Sequence, residues 1–166
     1  MVTYLGGGVL HSDLTRTLME EEDDEQSFFS GVLNYDYPRI WSDDNWYGFV
    51  ELYYNGLGES EPLEALQNEA LREWLVRGEI FVTGRYYFDA LLQYEAHPLV
   101  NIFLTLIYNL EDRSFLFQLR VSWNMSQSAE LLLGINIPVG SDGTEFGDLQ
   151  DPENGAGFGS PTQAYL

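Results

Sequence analysis

In six segments of this chain, every second residue belongs to a set without a single charged side chain. From Phe29 to Tyr37 that set is Phe29, Gly31, Leu33, Tyr35 and Tyr37, set against Ser30, Val32, Asn34 and Asp36. Gly48, Val50, Leu52 and Tyr54 alternate with Tyr47, Phe49, Glu51, Tyr53 and Asn55. Tyr86, Phe88, Ala90, Leu92 and Tyr94 alternate with Arg85, Tyr87, Asp89, Leu91, Gln93 and Glu95. The uncharged set continues through Ile102–Leu110, Phe115–Trp123 and Leu131–Ile137, while Arg120 and Glu130 fall on the other parity. A period of two sends successive side chains to opposite faces of a strand. The chain is therefore predicted to be all-β and antiparallel, with one wholly uncharged face. A partial strand is expected at 2–10 and the start of another at 162–166, making about seven strands plus a stub.

The connections divide into two kinds. Those at 11–26, 59–83 and 139–160 are long, those at 40–45, 97–98, 111–114 and 126–128 are short, and every long one has the same parity in the order. In an up-and-down sheet this gathers the long connections at one end. Membrane β-barrels are built so, with short periplasmic turns and long external loops. A strand entering at Thr162 then runs towards the periplasm. Within the second long connection, Leu63, Leu66, Ala70 and Trp74 recur at helical spacing after Pro62, which predicts one short amphipathic helix over 62–75 on the external side.

Composition narrows the classes further. The formal charge is -20, from 27 acidic residues and 7 basic ones, all of them Arg. Such a chain repels phosphate, which excludes nucleic acid as a partner. Soluble β-proteins guard their exposed edges with Lys, and this chain has none. No apolar run approaches the ~18 residues of a membrane-spanning helix, and Met1-Val2-Thr3-Tyr4-Leu5 does not read as a signal peptide.

Alternation alone also fits a soluble lipocalin-like barrel with the apolar set inside. Three features favour a membrane barrel. The uncharged set is bulky for a small barrel interior. The other set, rich in Asn, Ser, Gln and Gly, suits a wet lumen. Aromatics collect at segment ends, at Tyr35, Tyr37, Tyr54, Tyr86, Tyr94, Tyr108 and Trp123, as in an interfacial girdle.

Arg85-Tyr86-Tyr87-Phe88 through Ala96-His97-Pro98-Leu99, followed by Leu104–Asp112, resembles the closing strands of porin-like barrels of Gram-negative bacteria. Ala129–Gly140 resembles their penultimate strand, ahead of an acidic Gly-rich loop. The likeness spans about residues 28–166 and is one of pattern. It implies a passive diffusion channel in the outer membrane, in contact with lipid and lipopolysaccharide. Since the last strand of such barrels ends in an aromatic, the stop at Tyr165-Leu166 leads us to expect the C-terminal part of a larger barrel domain, cut at both ends and completed by its remaining strands. The lumen-facing candidates are Asp36, Glu51, Arg85, Asp89, Glu95, Arg120 and Glu130, an acidic balance that favours cations. The alternatives are a non-transporting structural or adhesion barrel and the soluble barrel with an apolar ligand.

No catalytic, cofactor or metal site is expected. His11, with Asp13 nearby, sits where the first strand meets a loop, and His97 occupies a tight turn. Asp142-Gly143-Thr144-Glu145 lacks the ligand spacing of a calcium loop, and no helix or Lys follows Gly6-Gly7-Gly8 to make a phosphate loop.

Overall fold

The computed structural model describes residues 1–21, 24–41, 44–147, 149 and 162–165. Nine strands form one antiparallel sheet: β1 Val2–Leu5, β2 Gly8–Glu21, β3 Asp24–Trp41, β4 Asp44–Asn55, β5 Tyr86–His97, β6 Val100–Asn109, β7 Phe115–Ser126, β8 Ala129–Val139 and β9 Gln163–Tyr165. Each strand pairs with its neighbours in sequence, and the sheet is open, with β1 and β9 at its edges.

The expected long connection over 11–26 is instead mostly strand. The β2–β3 ladder runs from Val9↔Asp36 to Glu21↔Asp24, so the two strands form a long hairpin. Alternation of Leu10, Leu14 and Leu18 with Thr15 and Thr17 carries the strand through, although Ser12 and Arg16 interrupt the apolar parity. The expected strand at 2–10 is likewise a hairpin, turned by Gly6 and Gly7 at φ 57° and 90°, a backbone region that a Cβ disfavours. The split of 2–10 into β1 and the start of β2, with the stub as β9, makes nine strands, while the strand over 11–26 lengthens β2 and β3. Most of the third long connection, 150–161, and Leu166 lie outside the described residues.

Register assembles the two parities into two continuous faces. Leu33, Leu52, Phe88, Tyr108 and Phe115 lie on one through successive pairings, and Asn34, Glu51, Asp89 and Ile107 on the other. Over β3–β5 the charged face is the more covered one, whereas on β7 and β8 Arg120 and Glu130 are exposed. From Ser30 to Asp36, Phe49 to Asn55, Tyr87 to Glu95 and Asn101 to Asn109, every residue of the polar set is buried or half-buried. On the apolar face Phe29, Leu33, Tyr37, Val50, Leu52, Tyr54, Tyr86 and Leu92 are 36–49% exposed.

The single predicted helix is two: α1 Pro62–Gln67 and α2 Glu69–Arg77. Asn68 divides them. Its backbone is extended, and its Oδ1 accepts a hydrogen bond from Leu71 N at 3.0 Å, capping α2. The pair meets the sheet at Phe28, on the stretch of β3 beyond its pairing with β4, where the Phe28 ring lies edge-on to Trp74 at 5.4 Å. Leu57, Ala65, Leu71 and Ile80 complete this cluster. The hydrophobic core therefore sits under the helices, away from the uncharged face. Asn68→Ala removes the cap and the Asn68 bond to Glu59 Oε1, and is expected to lower stability by about 1 kcal/mol, read as a shift in denaturant midpoint.

Candidate functional site

The polar face gathers most of the charges that parity assigns to it, and few of them are neutralised. Asp36 Oδ1 lies 2.9 Å from His11 Nε2. His11 is thus a mid-strand residue of β2 facing β3, not a strand-end residue near a loop, and its partner is Asp36; the Asp13 carboxylate lies 4.0 Å from the N-terminal amine. Glu51 accepts from Asn34 Nδ2 at 3.3 Å. Directly across the ladder stands Asp89, whose Oδ1 is buried without a hydrogen-bond partner among the described residues. Like charges in directly opposed positions repel. Further towards the turns, Glu95 accepts from Asn45 Nδ2 at 2.9 Å, and Glu130 accepts from Ser122 Oγ.

The two arginines do not balance these acids. The Arg120 guanidinium stacks over Phe103, 4.3 Å from the ring centroid. Arg85 departs from the lining role expected of it. It precedes β5, and its side chain turns to the loop, donating from Nε to Gly58 O and from NH2 to Glu59 Oε2, both at 2.8 Å. Among the described residues, no strand carboxylate of this face pairs with an arginine. The face carries Asp13, Asp36, Glu51, Asp89, Glu95 and Glu130 against Arg120 and a histidine.

At the end where the long loops meet, a polar network unforeseen in the sequence ties them to the sheet. Glu145 is 8% exposed. Its Oε1 accepts from Thr83 N at 2.6 Å, and its Oε2 accepts from Tyr87 Oη at 2.6 Å and Asn109 Nδ2 at 2.8 Å. Its own amide donates to Asp112 Oδ2 at 2.7 Å. Tyr87 Oη in turn accepts from Gly84 N at 2.5 Å. The Glu145 carboxylate so joins the loop after β4 to the strands β5 and β6, and its amide ties in the turn before β7. The knot leaves no room at Gly84, where a Cβ would lie 2.6 Å from Asn109 Nδ2 and 2.7 Å from Tyr87 Oη. Glu145 stands 58 residues from Tyr87 and 62 from Thr83, beyond reach of any local pattern.

The aromatics of the apolar face form two rows. Near the loop end, Tyr54 and Tyr86 lie 5.2 Å apart and Tyr108 and Phe115 6.4 Å apart. Near the turn end, Trp46 stacks on Tyr94 at 4.4 Å, with Trp123 farther along the same end, and Tyr37 stacks at 6.4 Å on Tyr35, one step further in. Tyr37, Tyr54, Tyr86, Tyr94, Tyr108 and Trp123 stand at these two ends, whereas Tyr35 pairs with Val50, midway between Trp46 and Tyr54. Trp46 was missed because it stands beyond the clean alternation, two residues ahead of Gly48. Charged positions also fall on this face at its ends: Arg16, opposite Phe29, with Glu20 and Glu25 at the loop end, and Arg39, opposite Trp46, with Asp44 at the turn end.

Comparison with protein-family models, with characterised proteins and with solved structures gives no match, so function rests on this geometry.

Proposed function

We propose that the sheet is wall of a porin-like outer-membrane β-barrel, its apolar face in lipid and its polar face lining a water-filled passage that favours small cations. The observation that carries this reading is the inversion of the two faces. A water-soluble protein covers its apolar side chains and exposes its charges; over β3–β5 the uncharged face is here the more exposed one. The spacing of the aromatic rows supports it. Trp46 to Tyr54 and Tyr86 to Tyr94 each span eight residues, about 27 Å along a strand. At the ~40° tilt of membrane barrels this projects to about 21 Å, close to their ~25 Å apolar band.

The passage follows from the same geometry. The uncompensated carboxylates of the polar face set an attractive potential for cations, and α1 and α2, seated over Phe28, narrow the loop end. In hydrocarbon an unpaired backbone group costs several kcal/mol, so in this reading β1 and β9 pair with further strands that close the wall.

The test is conductance of the full-length protein in a planar bilayer under a salt gradient. The expected result is open channels with a reversal potential displaced to the cation side, moved towards zero by Glu51→Gln with Asp89→Asn. A displacement to the anion side removes the cation preference. Stable insertion without any conductance would instead support a barrel with a structural or adhesive role.

A further inference from the structure

We propose that the apolar face holds a seat for one anionic glycerophospholipid, its phosphate on Arg39 and an acyl chain in the groove over Gly48 and Ala90. This rests on the reading that the face meets lipid. The face is not evenly bulky. Where Gly48 and Ala90 take the place of large side chains, a groove of about 660 Å³ opens between Tyr37 and Trp46 on one flank and Leu106 on the other. That volume falls within the range of small-molecule sites. Its walls offer almost nothing to hydrogen-bond, which suits a hydrocarbon chain and little else.

Charge fixes which lipid. Arg39 lines the turn end of the groove, opposite Trp46 across the ladder. Tyrosine and tryptophan at that depth mark the headgroup zone. The two arginines of this face differ in a telling way. Arg16 is engaged, donating from NH2 to Ser27 Oγ at 3.2 Å and lying 5.8 Å from the centroid of the Phe29 ring. Arg39 is exposed, and among the described side chains it has no carboxylate within ion-pairing distance and no hydrogen-bond acceptor. An exposed guanidinium above an apolar slot complements a phosphodiester, which it can engage through two parallel N–H donors.

The test uses the full-length protein in phosphatidylcholine vesicles. Brominated acyl chains quench nearby tryptophan, and the Trp46 and Trp123 signals are obtained by difference against Trp46→Phe and Trp123→Phe. A small fraction of brominated phosphatidylglycerol is expected to quench Trp46 about fivefold more effectively than the same fraction of brominated phosphatidylcholine, the enrichment one interfacial cation provides. Arg39→Gln and the groove-filling Ala90→Phe each abolish that preference, whereas Arg16→Gln keeps it. Quenching of Trp123 alongside equal quenching of Trp46 by both lipids overturns the seat while leaving the lipid-facing reading intact. Trp46 shielded from both lipids, with cross-linked dimers, gives the groove to a second copy of the chain and likewise overturns it. If Trp123 too escapes quenching, the lipid-facing reading fails and the seat with it.

Discussion

Glu145→Ala is expected to destabilise the protein by about 3–5 kcal/mol, the largest effect of any single side-chain truncation at the loop end. The carboxylate is buried and takes three donors at 2.6–2.8 Å, from Thr83 N, Tyr87 Oη and Asn109 Nδ2. Truncation leaves those donors facing a void too crowded by the surrounding loops to rehydrate freely, and each stranded donor costs about 1–3 kcal/mol. Tyr87→Phe removes only one link to the carboxylate and the acceptor for Gly84 N, so its cost is expected near 2 kcal/mol. Because the two share a hydrogen bond, the double variant should fall short of the sum. Denaturant unfolding measures the totals, and hydrogen exchange at the Thr83 amide reads the local event, since that N–H bonds to the carboxylate itself. A loss under about 1 kcal/mol for Glu145→Ala, with Thr83 exchange unchanged, means the loops are held by something other than this knot.

Leu33→Arg is expected to cost about 2–4 kcal/mol when the protein folds into a bilayer. Leu33 stands midway between Phe29 and Tyr37 on the apolar face and is 45% exposed. In water, replacing so exposed a side chain changes stability by only about 0.5 kcal/mol; in the middle of a hydrocarbon layer a guanidinium has nowhere to go. Asn34→Arg, one residue on, provides the control. It falls on the polar face beside Glu51, where a cation gains carboxylate neighbours and insertion should proceed normally. Folding into vesicles, followed by denaturant titration, measures both. If Leu33→Arg inserts as readily as the wild type, the apolar face does not lie in lipid, and the proposed function falls.

How far the sequence could be read depends on which residues are considered. The charge-free parity of Phe29–Tyr37, Gly48–Tyr54 and Tyr86–Tyr94 was legible because a strand has a period of two and any register keeping one face apolar aligns these sets. The same reasoning missed β2, since Ser12 and Arg16 break its apolar parity and the acidic run behind it resembles a loop. It ran the two helices together, because helical spacing continues through Asn68 and only the cap separates them. Arg85 was placed on the polar face by parity, yet it lies one residue before β5, where the side chain is free to reach Glu59.

The sequence by itself determined an all-β antiparallel sheet with two chemically opposed faces, because alternation is a local property that each strand carries without its neighbours. It also assigned Asp36, Glu51, Asp89, Glu95, Arg120 and Glu130 to one of those faces. Tertiary structure alone decided which face is covered, where α1 and α2 sit, and that Glu145 closes the loop end. Those outcomes depend on contacts between segments tens of residues apart, whose entropy of closure is met only when the whole sheet is in register.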